Sequence, residues 1–168
     1  MLSRKPATAW LNNFSDMLGS YRAVALYNAF SYEWPMDVVL KRLNDRGLSV
    51  YVPRVCNGSL LMVHIKGGGE WSLDEKSVLA PNHFKDDTDQ LEAVVIPMLA
   101  MNEQGYRLGH GSGHYDRWVK RLPSVCKKVG IIHDWQLCSF VADSWDLQYD
   151  EVWLVQGAQI KIWRGPEQ

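Results

Sequence analysis

Residues 23–55 read strand, helix, strand, and that order narrows the fold more than any other feature of the chain. AVALYNAF (23–30) is a short, nearly continuous apolar run, the pattern of a strand covered on both faces. In PMDVVLKRLNDRG, Met36, Val39, Leu40 and Leu43 recur at helical spacing. Pro35 suits the first turn and Gly47 the position just past the last. LSVYVPRV (48–55) resumes the strand pattern. Two strands joined through a helix are expected to lie parallel, with a right-handed crossover, so a mostly parallel sheet with helices on both faces is predicted.

The alternation continues along the chain. ATAWLNNFSDMLGSY places Trp10, Leu11, Phe14 and Leu18 at helical spacing. LLMVHI followed by GGGEWSL reads as a strand ending in a turn, hence an antiparallel excursion. LEAVVIPMLAM (91–101) is the most apolar strand candidate and is expected at the centre of the sheet. KKVGIIH (127–133) is another buried strand, and DEVWLVQGAQIKIW closes the chain as a hairpin around Gln156 and Gly157. No repeat, low-complexity tract or linker divides the 168 residues, so one α/β domain over 1–168, a three-layer sandwich, is predicted.

Charge and cysteine content exclude some partners. A net charge of −1 gives no electrostatic basis for a nucleic-acid partner. No run of 18 apolar residues is present for a membrane span, and the first residues lack the apolar segment of a signal peptide. Cys56, Cys126 and Cys138, odd in number and without a C-x-x-C pair, read as reduced intracellular thiols, so a cytoplasmic location is expected. The eight tryptophans read as core or cleft lining.

YRLGHGSGHYDRW (106–118) follows the most apolar strand, beyond the carboxyl end where open sheets of this type bind ligands. Gly109, Gly111 and Gly113 alternate, which lets successive backbone N–H groups turn toward one anion with no Cβ in the way. A helix opening near His114 would add its first N–H groups, and Arg107 and Arg117 would offer forked donors to phosphate. Neither the Walker loop nor the dinucleotide fingerprint fits, the latter because its third glycine falls one residue later. Two other readings stay open on the residues alone. One is a glycine-rich turn that only reverses the chain. The other is a metal site from His110, His114 and Asp116, against which Gly111 and Gly113 argue by opposing a helix there.

G-Y-R-L-G-H-G-S-G-H-Y-D-R resembles the signature of the 5-formyltetrahydrofolate cyclo-ligase family, also called 5,10-methenyltetrahydrofolate synthetase. Its usual form is G-x-R-L-G-[YFR]-G-x-G-[YF]-Y-D-R, after an apolar strand with a proline-containing step, here VVIPMLAM with Pro97. VALYNAFSYEWPMD is similar to the family's Tyr-x-x-x-x-x-Glu segment, YVPRV to its Leu-Pro-Arg-Val strand, and DSWDLQYDEVW to its closing segment with two spaced aspartates. The resemblance implies a NagB/RpiA/CoA transferase-like α/β/α fold. It also implies an ATP- and Mg²⁺-dependent ligase that closes 5-formyltetrahydrofolate to 5,10-methenyltetrahydrofolate and releases ADP and phosphate.

By position, the resemblance implies ATP contacts from Arg107, Leu108, Gly109, His110, Gly111, Ser112, Gly113, His114 and Tyr115. It implies folate contacts from Glu33, which would orient the pterin ring, and from His110 through His114. Asp116 and Asp146 would hold Mg²⁺, which completes its shell with phosphate and water, and Arg107, Tyr115 and Asp116 form the implied catalytic set. Tyr115 and Trp118 would line the cleft, unless Trp118 packs the helix. A reduced folate is the implied partner, and a monomer is expected.

The chain departs from the family pattern near the ligand positions. About 20 residues precede the first expected strand, with Arg4 and Lys5 where the family carries a basic, ATP-binding helix, so the chain reads as a member with a short start. His110 and His114 stand where aromatics are usual and add hydrogen bonding and a titration near neutrality. Ala80 precedes Pro81 in place of Glu, and Trp34-Pro35-Met36 follows Glu33 in place of Val-Asp/Pro-Thr. Two alternatives to the enzyme follow: a non-catalytic folate- or nucleotide-binding paralogue, and a metal-dependent hydrolase built on His110, His114 and Asp116.

Overall fold

The computed structural model describes residues 8–66 and 70–165; Arg4, Lys5 and the glycine turn at 67–69 lie outside the described residues. In chain order the elements are α1 (Thr8–Leu18), β1 (Ala23–Ala25), α2 (Met36–Asp45), β2 (Ser49–Cys56), β3 (Ser59–His64), β4 (Trp71–Leu73), β5 (Leu79–Pro81), β6 (Ala93–Val95), β7 (Ala100–Met101), β8 (Arg107–Leu108), α3 (His114–Trp118), β9 (Lys127–His133), β10 (Glu151–Gln156) and β11 (Gln159–Arg164). Seven strands make the main sheet in the order β11-β10-β9-β6-β1-β2-β3. The five inner strands run parallel, and β3 and β11 are antiparallel edges. β6 is the middle strand, where its apolar sequence put it.

The sheet is buried on both faces because its inner strands alternate two apolar sets. Val24, Val50, Ala93, Val95, Val129 and Ile131 pack on one side with Phe14 and Leu18 of α1 and Val39 and Leu43 of α2. Ala23, Ala25, Val94, Ile132 and Val152 face the other side, which Trp118 of α3 and Tyr149 cover. Each strand therefore supplies side chains to both layers in alternation, as a covered parallel sheet requires. The α/β sandwich predicted from the strand–helix order is the fold observed, with a thin second layer.

Three expectations change. Of the strand expected over 91–101, only Ala93–Val95 joins the main sheet, while Ala100 and Met101 pair with β8 in a separate two-stranded sheet. The strand expected over 23–30 keeps ladder form only through Ala25, with one further bond from Leu26 N–H to Tyr51 O (2.9 Å). The apolar residues that follow line a cavity instead, a kind of burial that hydrophobicity alone does not distinguish from a strand. The helix expected over 114–123 is five residues long and passes into a 3₁₀ turn, Val119–Arg121. Leu122, next to Pro123, is already extended (ψ 145°), since the proline ring disfavours helical backbone before it.

The β4–β5 hairpin lies outside the main sheet and is held to it by polar groups. Arg54 of β2 is buried and donates to the carbonyls of Ser72, Ala80 and Pro81, while its guanidinium lies 4.8 Å from the Phe84 ring centre. Asp74 accepts from Val55 N–H (2.8 Å), and Glu75 accepts from the N–H groups of Asn57 and Gly58, whose positive φ values (50° and 72°) make the β2–β3 turn. The hairpin is thus a fixed wall. Among the described residues, no helix is long and apolar enough to cross a membrane.

Candidate functional site

The glycine loop joins β8 to α3 at the carboxyl ends of the parallel strands. Gly111 (φ 86°) and Gly113 (φ 66°) hold left-handed backbone, which side chains with a Cβ rarely adopt. Gly109 is needed for space: a Cβ there would stand 2.9 Å from Arg107 Nη2. Among the described residues, none of the backbone N–H groups of 109–113 donates to a protein acceptor. Such a run of free donors is the arrangement that accepts an anion. Arg117 folds back over the loop, with Nη1 donating to Ser112 O (3.1 Å) and Nη2 3.3 Å from His114 Nδ1. Gly111→Ala tests the backbone alone, because nothing lies within 4 Å of the added Cβ. It is expected to cost about 1–2 kcal/mol, seen as a melting temperature lower by roughly 2–8 °C.

Arg107 is not the free phosphate donor that its position suggests. It is 7% exposed, and its nitrogens are engaged within the protein. Nη2 donates to Asp116 Oδ2 (2.9 Å), Nε to Asp116 Oδ1 (3.3 Å), and Nη1 to Pro97 O (2.8 Å). The guanidinium therefore ties β8 to the end of β6 and sets the Asp116 carboxylate in one orientation. Tyr115 places its ring 5.6 Å from that guanidinium, and burial pushes its phenol well above the ordinary range, so it stays protonated at neutral pH. Trp118 is a packing residue: it is buried and its Nε1 donates to Thr88 Oγ1 (2.9 Å).

Asp116 and Asp146 line one cavity of about 540 Å³, together with Lys120 and Lys128. Asp146 Oδ2 accepts from Asp143 N–H (2.7 Å), which leaves its other oxygen free of a protein partner. Two carboxylates facing one space suit a hard cation that keeps water and phosphate in its remaining positions.

Glu33 opens on a larger cavity of about 1190 Å³, walled by residues 27–34, the start of α2, the β4–β5 hairpin and the ends of β9 and β10. Its Oε2 accepts from Phe30 N–H (2.8 Å), while Oε1 is buried with no partner. Burial outweighs the Phe30 N–H and the nearby His110 and raises the carboxyl above its ordinary value. An unpaired buried carboxylate oxygen is a vacancy for a ligand's N–H donors. The glycine loop reaches this cavity through His110, whose Nε2 lies 2.8 Å from Tyr32 Oη, with Phe30 stacked on Tyr32 at 5.7 Å.

The histidines do not form a metal centre. His110 is bound to Tyr32 and His114 to Arg117, and among the described residues no three His, Cys, Asp or Glu side chains could share an ion. The hydrolase reading falls on that geometry. Burial, and then Arg117, hold the His114 imidazole below its usual range. His133, expected only as the end of a buried strand, also lines the Glu33 cavity as the last residue of β9. Its place at the carboxyl end of a buried strand was the available signal.

The fold thus carries two cavities, one with Glu33 at the carboxyl ends of β9 and β10 and one with Asp116 and Asp146 toward their amino ends. The model of the 5-formyltetrahydrofolate cyclo-ligase family matches residues 12–155, and the chain belongs to that family. The 5-formyltetrahydrofolate cyclo-ligase of Mycoplasma pneumoniae is 39% identical over 64 residues, which cover 38% of this chain and 39% of that protein. The alignments thus span about two fifths of the first curated relatives, 39% and 42% of their lengths. The Escherichia coli enzyme of the same name is 27% identical over 132 residues, 74% of this chain and 72% of the relative. Two solved 5,10-methenyltetrahydrofolate synthetases share the fold. That from Aquifex aeolicus has a TM-score of 0.77 at 20% identity, covering 95% of this chain and 82% of the other. That from Mycoplasma pneumoniae has a TM-score of 0.66 at 23% identity, covering 86% and 82%.

Proposed function

We propose that the chain acts as a single domain that closes 5-formyltetrahydrofolate to 5,10-methenyltetrahydrofolate at the expense of ATP. The observation that carries this reading is the run of unpaired N–H groups at 109–113 beside a cavity holding an unpaired Glu33 oxygen. Glu33 would accept the N–H donors of the pterin edge, and His110 to His114 would border both ligands. The loop N–H groups would hold the phosphate chain, with Asp116 and Asp146 as the carboxylates for Mg²⁺. When bound, that ion would neutralise phosphate charge.

The reaction needs few protein groups. The formyl oxygen takes the terminal phosphoryl of ATP, whose bond to ADP breaks; N10 then attacks the formyl carbon, loses its proton, and phosphate departs with the former formyl oxygen. Catalysis of this kind rests on placing the two partners and on steadying charge. In this reading Arg107 orients Asp116 rather than touching phosphate, and Tyr115 supplies a neutral phenol beside it. A non-catalytic folate- or nucleotide-binding role is favoured by one observation, that Arg107 spends its donors inside the protein.

The deciding experiment is the near-ultraviolet absorbance of the methenyl product, followed with 5-formyltetrahydrofolate, ATP and Mg²⁺. Growth that needs all three is expected. Binding of folate and nucleotide without turnover would replace the enzyme by the binding role.

A further inference from the structure

His133 ends β9 on the wall of the Glu33 cavity, and its ring is held in place from three sides. Trp34 lies 4.4 Å from it between ring centres, and Trp135 stacks on it at 5.5 Å with only 11° between the planes. The third restraint is a reciprocal cap. The His133 side chain accepts the Gln136 backbone N–H, and Gln136 Oε1 accepts the His133 backbone N–H (2.8 Å). A ring nitrogen that accepts is unprotonated, so in the neutral ring the proton sits on the other nitrogen. Burial keeps the ring neutral by holding its titration below the ordinary value, against the smaller opposing effect of Asp134. His133 and Glu33 thus line one cavity, Glu33 with the buried, unpartnered acceptor Oε1 and His133 with a neutral imidazole whose second nitrogen carries the proton.

We propose that His133 is a specificity-determining residue, whose N–H selects a ligand ring carrying a carbonyl beside its ring N–H. The inference rests on the folate reading of the Glu33 cavity. A 2-amino-4-oxopteridine edge offers N–H donors to Glu33 and, next to them, a carbonyl oxygen that accepts from His133. A ring with an amine at the 4-position sets donor against donor, which leaves both without a partner. The neighbouring Trp34 belongs to this device as the tilted ring that packs against the imidazole.

The test compares the affinities of 5-formyltetrahydrofolate and of its analogue with a 4-amino group in place of the ring carbonyl. His133→Phe keeps a flat ring between the tryptophans but removes both the donor and the cap. His133→Asp keeps a capping acceptor and removes the donor alone. Both substitutions are expected to shift the oxo-to-amino affinity ratio by about tenfold toward the amine. The ratio, unlike affinity alone, does not move when a variant is merely less stable. A ratio unchanged within about twofold in both variants, with 5-formyltetrahydrofolate still bound by the native protein, overturns the role of His133. Failure of the native protein to bind 5-formyltetrahydrofolate at all overturns the folate reading instead.

Discussion

Asp116→Ala is expected to reduce methenyl formation by roughly 10²–10³-fold and also to lower the melting temperature by roughly 6–20 °C. The two effects have one source. Asp116 is the carboxylate partner of a guanidinium that is 7% exposed, and removing it leaves that charge buried against Pro97 O alone. Breaking such a pair costs about 3–5 kcal/mol, because the remaining ion has lost its counter-charge and cannot reach water. Asp116→Asn separates stability from catalysis. Its amide oxygen still accepts one N–H from Arg107, so the melting temperature falls less, while the charge that would face the cation is gone. Thermal melts and turnover on the same preparations check both. Full activity in either variant would remove Asp116 from the proposed metal set, and an unchanged melt would remove the Arg107 clamp.

Glu33→Gln should behave in the opposite way on stability. Burial raises the Glu33 carboxyl, so in the folded protein its neutral form is favoured relative to the unfolded chain. The stability tied to this group is fully present below the unfolded pKa and is lost as pH rises through the folded one. Near neutral pH the ionised side chain is a burden, and glutamine, which still accepts from Phe30 N–H, does not carry it. The variant is expected to melt higher than the native protein above that range, while its affinity for 5-formyltetrahydrofolate falls roughly 10²-fold, since charge-assisted bonds to the pterin edge become neutral ones. Nucleotide affinity should hold. In the native protein folate affinity should fall as pH drops through the raised Glu33 value, a dependence the glutamine variant lacks. A variant that binds folate normally would show that Glu33 does not face the pterin.

Much of the scaffold was legible because its signals are local. KKVGIIH marks the ends of β9 to the residue, and Met36, Val39 and Leu43 form the buried stripe of α2. The glycine loop was legible as a chain of donors for the same reason: alternating glycines act on the backbone where they stand. What the sequence hid was the direction of long side chains and the meeting of distant segments. Nothing local shows that Gly109 leaves room for the guanidinium of Arg107 to turn inward, so that an apparent phosphate ligand becomes the anchor of Asp116. The cluster of Trp34, His133 and Trp135 brings together residues from the loop after β1 and the end of β9, and each looks like an ordinary core or surface residue in its own neighbourhood. Residues 27–30 were read as strand because apolar runs do not declare whether they face another layer or an opening.

The strand order also bears on how the molecule comes together in time. β1 and β2 are linked through α2 and can pair as one local unit with the β3 hairpin. β6 must return past that unit and the β4–β5 hairpin to reach the other side of β1, and β9 adds only after β6. Long chain closures of this kind are entropically opposed until the contacts they permit are made, which places them late in assembly. Pro97, to which Arg107 is tied, lies two residues past β6, and Asp116 depends on Arg107 in turn. The glycine loop is therefore organised by the slow, long-range half of the fold, on a hairpin-bearing half that is already in place to receive it.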